Sequence, residues 1–104
     1  MSTLQTTIAS VMKGAAVTNV VKAISHADFG FSAAQLASAN RARISCRTGG
    51  VMLTYDNATD PTATVGHLVA ANESLVIEGT DNIRYIRFIR EAGTDSTVTV
   101  TLEV

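Results

Sequence analysis

The stretch from Thr97 to Val104, TVTVTLEV, alternates polar and apolar residues without interruption. Successive side chains of a β-strand point to opposite faces, and β-branched Thr and Val suit half-buried pleated surfaces. The stretch therefore predicts a strand with one buried face. That face would consist of Val98, Val100, Leu102 and Val104.

The same two-residue period recurs toward the N-terminus. Residues 41–47 (RARISCR) alternate, Gly49-Gly50 follows, and residues 51–56 alternate again. Two alternating runs separated by a glycine turn predict a β-hairpin. Further strands are predicted at residues 20–31, with a bulge near Gly30, and at residues 73–78 and 83–90.

Six or more short strands separated by Gly, Asn and Asp turns predict an all-β fold. We expect a single antiparallel β-sandwich domain, jelly-roll-like, over residues 19–104. Residues 32–40 are too short to be more than a connection with one helical turn. Strands and long helices do not alternate, which excludes a Rossmann-like fold.

Residues 1–18 differ from the rest of the chain, because they contain no acid and several small residues. We expect them to form an N-terminal arm, either flexible or a short helix that orders only against a partner, since short isolated helices are marginal in water. At helical spacing one apolar face of the arm would consist of Leu4, Ile8, Val11 and Met12.

Charge is scarce and unevenly distributed. Charged residues make up 16% of the chain, against about 25% in average domains. Residues 1–52 carry five Lys/Arg and one acid, whereas residues 53–104 carry three Arg and eight acids. The two halves could neutralise each other within one fold or pair between copies. Low surface charge favours a surface covered by a partner, and we expect a homo-oligomer, either a dimer or a trimer.

The chain has one cysteine, Cys46, so an internal disulfide is excluded and we expect a small buried side chain there. No apolar run approaches about 20 residues, which predicts no membrane span. The N-terminus has no signal-peptide pattern. We expect a soluble protein made in the cytoplasm.

Motifs for catalysis or metal binding are absent from the sequence. His26 and His67 lie far apart and outside any zinc-ligand spacing. Asp56 and Asp60 do not follow a calcium-loop pattern and are expected to be turn residues. No nucleophile motif is present. We therefore predict no enzymatic activity, no cofactor and no metal, and we expect His67 to anchor its loop.

The run 84–90, RYIRFIR, combines arginines with aromatic residues, as single-strand nucleic-acid binders do. On an extended strand Arg87 faces away from Arg84 and Arg90, and acids flank the run. The cations form no single stripe, so we expect no nucleic-acid partner.

Residues 41–104 resemble a class of small proteins encoded among the virion genes of tailed bacteriophages and prophages. The class carries a Y-D/T-D-G-x-x-P-T-A-x-x-G-H element, then L-x-G, then N-I-x-x-x-R-x-I-R. This chain departs from it with Asn57-Ala58 in place of Asp-Gly. The matching residues are Tyr55, Asp56, Pro61, Thr62, Ala63, Gly66, His67, Gly79, Asn82, Ile83, Arg87, Ile89 and Arg90.

The resemblance implies a β-sandwich that decorates or cements a capsid by binding the major capsid protein, located on the virion surface. The alternative is a receptor- or carbohydrate-binding module of a phage head or tail fibre. Besides the arm, partner contacts are expected at a loop that contains Asp56, Asp60, Pro61 and His67.

Overall fold

A computed structural model describes residues 10–104 of the chain. These residues form eight strands and two short helices. The strands are β1 (Ser10–Val17), β2 (Lys22–Ala23), β3 (Arg41–Arg47), β4 (Val51–Thr54), β5 (His67–Val69), β6 (Ser74–Glu78), β7 (Arg87–Arg90) and β8 (Ser96–Glu103). The helices are α1 (Ala33–Ser38) and α2 (Thr80–Arg84), and neither is long and apolar enough to cross a membrane.

The strands form two antiparallel sheets. The first sheet has the order β1-β8-β3-β6 and the second the order β2-β7-β4-β5. The strands pair from the two ends of the chain inward, as the two arms of one long hairpin would. These nested pairs are β1–β8, β2–β7, β3–β6 and β4–β5. The prediction of an antiparallel all-β domain is confirmed.

One hydrophobic core joins the two sheets and the connections between them. The predicted inner residues of β8 are buried, with Val98 and Val100 fully so and Leu102 2% exposed. Val104 lies beyond the strand and is 52% exposed, so the buried face ends at Leu102. The core members supplied by the connections include Phe29, Phe31, Leu36 and Ile83.

The predicted arm over residues 1–18 is wrong for its second half. Residues 10–17 are β1, which pairs with β8 from Ser10↔Glu103 to Val17↔Ser96. The Gly14-Ala15-Ala16 run has weak strand propensity, but the ladder to β8 and the complete burial of Val17 outweigh it. Leu4 and Ile8 lie outside the described residues.

The predicted hairpin over residues 41–56 is also wrong. β3 lies in the first sheet and β4 in the second, so Gly49-Gly50 carries the chain from one sheet to the other. Both glycines are needed for close approach. A Cβ at Gly49 would lie 2.8 Å from the carbonyl oxygen of Thr94, and one at Gly50 would lie 3.0 Å from the carbonyl oxygen of Val69.

Two other predicted strands are shorter than expected. Within residues 83–90 only β7 is extended, because residues 80–84 form α2, which buries Ile83. Within residues 20–31 only β2 is a strand, and the chain then turns at Gly30, with φ +77°. The single helical turn expected near residues 32–40 is α1, which Ser32 and Gln35 cap reciprocally.

Replacing Leu102 with Ala should lower the free energy of unfolding by about 2–4 kcal/mol, because it removes buried methyl groups and leaves a cavity in the core. Urea denaturation measures this change. Thr97→Ala, on the exposed face of the same strand, is the matched control and should cost less than about 0.5 kcal/mol. Equal losses in the two variants would contradict the assigned facing of β8.

Candidate binding surface

Residues 55–66 form the long connection between β4 and β5, and an aromatic pair closes its base. The rings of Tyr55 and His67 stack with centroids 5.4 Å apart and planes at 22°. Beside this pair lies an open cleft of about 400 Å³. Its lining residues are Thr54, Tyr55, Asp56, Thr59, Val65, Gly66 and His67.

The first half of the loop is a turn organised by Asp56. One carboxylate oxygen accepts the backbone N–H groups of Ala58 and Thr59 at 3.1 and 2.9 Å, and the other accepts the Thr59 hydroxyl at 2.8 Å. These donors lower the pKa of Asp56 to about 2, with the Thr59 N–H as the largest cause. Because its oxygens are occupied within the turn, Asp56 shapes the loop.

Asn57 supplies the backbone conformation that this turn needs. Its φ is +61°, in the left-handed region that favours glycine. Asn enters this region more readily than most other residues, because its short polar side chain hydrogen-bonds locally. The turn thus keeps its conformation without a glycine.

The middle of the loop is fastened to the second sheet at three points. The buried Thr54 hydroxyl donates a hydrogen bond of 2.6 Å to the carbonyl oxygen of Thr59. Asp60 accepts a hydrogen bond from Arg87 of β7 at 2.8 Å, in an ion pair. Pro61 is buried although both of its neighbours are exposed. Asp60 and Pro61, both expected to contact a partner, therefore hold the loop in place.

The second half of the loop folds around Thr62 and ends at a glycine. The Thr62 hydroxyl accepts the N–H groups of Thr64 and Val65 at 3.2 and 3.0 Å. Gly66 has φ +133°, and a Cβ there would lie 2.8 Å from the carbonyl oxygen of Leu53. Only glycine fits this position.

We call the exposed residues between Thr62 and Leu68, apart from Gly66, the loop surface. Two of its residues are large and apolar: Val65 is 45% exposed and Leu68, on β5, is 54% exposed. The remaining members are small or polar. The loop surface consists of Thr62, Ala63, Thr64, Val65, His67 and Leu68.

The predicted partner-binding residues fall into two separate groups. Asp56, Asp60, Pro61 and His67 belong to one loop of the second sheet. Val11 and Met12 lie on β1 of the first sheet, where Val11 is half-buried against the core and Met12 is 67% exposed. Sequence reasoning did not identify Val65 and Leu68, since an isolated exposed apolar residue carries no periodic signal.

Many motif residues of the C-terminal half also hold the fold together. The Asn82 side chain donates to the carbonyl oxygen of Glu78 at 3.0 Å, and Gly79 has φ +96°. Arg90 donates to Asp95 at 2.6 Å in an ion pair. The motif residues therefore build the loop and the turns around β7.

The arginines of RYIRFIR are all paired with acids of the same chain. Besides the pairs of Arg87 and Arg90, Arg84 lies 3.4 Å from Asp81. Arg41, from the basic half of the sequence, lies 3.4 Å from Glu103 in the acidic half. Part of the charge asymmetry is thus neutralised within the fold.

Cys46 is buried, as predicted, and its thiol lies 3.2 Å from the carbonyl oxygens of both Val69 and Ala70. Burial raises the pKa of this thiol. A protonated, enclosed thiol is a poor nucleophile, so Cys46 acts as a core residue.

Within residues 10–104, no group of three or more His, Cys, Asp and Glu residues is arranged to hold a metal ion. Comparison with protein-family models, curated proteins and solved structures found no match to this chain.

The low pKa of Asp56 can be tested by titration. In an NMR titration the Asp56 carboxyl should titrate with a midpoint of about 2, below its ordinary value of 3.8. Because the folded pKa is the lower one, the charged form stabilises the turn above about pH 4, and this contribution is lost as the pH falls toward 2.

Thr59→Val removes one donor to Asp56 and should raise the midpoint toward 3.8. Thr62→Val is the control, since the Thr62 hydroxyl bonds elsewhere in the loop. An unshifted midpoint in the wild-type protein would contradict the proposed turn.

Proposed function

We propose that this protein is a non-enzymatic virion structural protein of a tailed bacteriophage. In this proposal it decorates the outer capsid surface and stabilises the shell by binding the major capsid protein. The observation that carries the proposal is the resemblance of residues 41–104 to virion proteins, together with a loop that is held by its own hydrogen bonds and displays apolar residues.

The strand topology supports a jelly-roll assignment. An eight-stranded jelly roll is a two-sheet fold built from Greek-key connections. The nested pairs, with the sheet orders β1-β8-β3-β6 and β2-β7-β4-β5, favour it over other sandwiches. Jelly rolls occur in viral capsid proteins and in lectins. The fold class therefore agrees with attachment to a capsid or to a carbohydrate, and the site must decide between them.

The loop surface suits attachment to another protein. Its backbone is already held by Asp56, Thr62 and the Asp60–Arg87 ion pair, so little conformational entropy is lost when it docks. Val65 and Leu68 supply exposed apolar area. A patch of this size gives modest affinity alone, and repetition over a lattice adds avidity.

A carbohydrate- or receptor-binding module of a head or tail fibre is the second candidate. The Tyr55–His67 stack beside the open cleft favours it, because sugars pack on aromatic faces. Tyr55 is only half-exposed, however, and its ring already packs against His67, which leaves one limited platform.

Quantitative mass spectrometry of purified virions separates the two candidates. A copy number comparable with that of the major capsid protein is expected for a decoration protein. A few copies per particle would contradict decoration and favour the fibre module.

Val65→Asp should weaken co-sedimentation with shells of the major capsid protein from the same genome by at least about tenfold, because docking would bury an unpaired carboxylate. Val76→Asp is the matched control: Val76 is exposed to a similar degree, 38% against 45%, but lies on β6 of the other sheet. Equal binding by both variants would exclude the loop surface as the capsid contact.

A further inference from the structure

In the part of the chain that the structure describes, the first sheet has one long unpaired edge. Within residues 10–104, β1 pairs only with β8, along all eight of its residues. The other sheet edges are shorter, since β6 has five residues, β5 three and β2 two. Short edge strands limit unwanted pairing, whereas a long exposed edge is a template for another strand.

The hydrogen bonds show which groups of β1 point away from its sheet. Along a strand the backbone N–H and C=O of successive residues point to alternate sides. The carbonyl oxygen of Ala16 accepts a 2.6 Å hydrogen bond from Lys22 of the other sheet, so it points away from β8. The even-numbered residues of β1, which are all exposed, therefore face the free edge: Ser10, Met12, Gly14 and Ala16.

The rest of the first sheet gives the same alternation. The carbonyl oxygen of Cys46 accepts the N–H of Asn72 on the β6 side, so odd-numbered residues of β3 point to β8. The odd-numbered residues of β3 lie opposite the odd-numbered residues of β8, so the backbone groups of these β8 residues point to β3. The even-numbered residues of β8 therefore point to β1, where they lie opposite odd-numbered residues. The backbone groups of the odd-numbered residues of β1 thus point to β8. Two independent observations thus place the same backbone groups on the free edge.

We propose that this edge binds a second copy of the same chain. The two β1 strands pair antiparallel about a two-fold axis at Gly14, which joins the first sheets of both copies into one eight-stranded sheet. This inference does not depend on capsid binding, because it rests only on β1 and its neighbours.

Residue type favours a second copy and selects the register. When the pair is centred on Gly14, the residues of β1 that face the core lie opposite core-facing residues of the partner's β1. The large side chain of Met12 then lies opposite the small side chain of the partner's Ala16. Centring it on Lys13 would oppose two ammonium groups, and a one-residue slip of one strand would mix the inner and outer faces.

The composition of β1 opposes this pairing only weakly. Lys13 is the only charged residue in the strand, and β1 contains no proline. Lys22 binds the carbonyl oxygen of Ala16, but a carbonyl has two lone pairs and can accept the partner's N–H as well. The edge therefore carries only a weak barrier to self-pairing.

Met12→Pro tests the proposal. The Met12 N–H points to the free edge, so proline removes no bond to β8 but blocks the dimer ladder, as prolines on natural edge strands do. Met12→Thr is the matched control, because it keeps the N–H. By light scattering at about 100 µM, the wild-type protein and Met12→Thr should have twice the 10.9 kDa chain mass, and Met12→Pro the single mass.

A wild-type monomer, a trimer, or a Met12→Pro dimer would overturn the proposal. Amide hydrogen exchange on the wild-type protein keeps the test valid even if Met12→Pro fails to fold. Above the dimer dissociation constant, exchange at the Met12 and Gly14 amides should be at least about tenfold slower than in dilute protein. Concentration-independent exchange at both amides would contradict the dimer, whereas loss of capsid binding alone would not.

Discussion

The fold depends on the position of β8 in the middle of the first sheet. Its backbone is bonded on both sides, to β1 and to β3, and its inner face supplies three buried side chains to the core. β1 and β8 form the outermost of the nested pairs, and the other three pairs are made by strands that lie between them in the sequence. A change that weakens β8 therefore affects both neighbouring strands and the centre of the core together.

Several residues of the sequence motif fix the conformation of the loop between β4 and β5. Gly66 allows the chain to pass against Leu53, Asp56 gathers three donors, and the Asp60–Arg87 pair joins the loop to β7. An exposed ion pair of this kind is worth less than about 1 kcal/mol, so the buried Thr54 hydrogen bond and Pro61 matter more for loop order. Such a loop keeps its shape without a ligand.

Several elements could be predicted because their sequences carry a local signal. Strict alternation identified β3 and β8, and it also identified the inner residue Val100. Alternation does not tell which sheet a strand joins, so the turn at Gly49-Gly50 was assigned to a hairpin and not to a crossing between sheets. The Tyr55–His67 stack could not be predicted either, since it depends on the path of the whole loop between them.

Two further errors have opposite causes. In β1, tertiary pairing with β8 overrides a small-residue run whose local propensity is weak. In residues 80–84 a local signal was present and missed: Ile83 and Ile86 are three residues apart and both buried, Gly79 precedes the turn, and Asp81 lies in its first turn. Three-residue spacing is typical of a helix, and it was read as part of an extended strand.

The central place of β8 also affects how the protein is made. A ribosome synthesises β8 after both of the strands that it pairs with. The backbone N–H and C=O groups of nascent β1 and β3 that later bond to β8 therefore have no partner at first. Until β8 leaves the ribosome, the first sheet lacks its central member and its apolar faces are open to other chains. Non-local pairing of this kind folds slowly, and exposed strand edges invite aggregation. During translation, this chain should therefore depend on chaperone protection more than a helical protein of equal length.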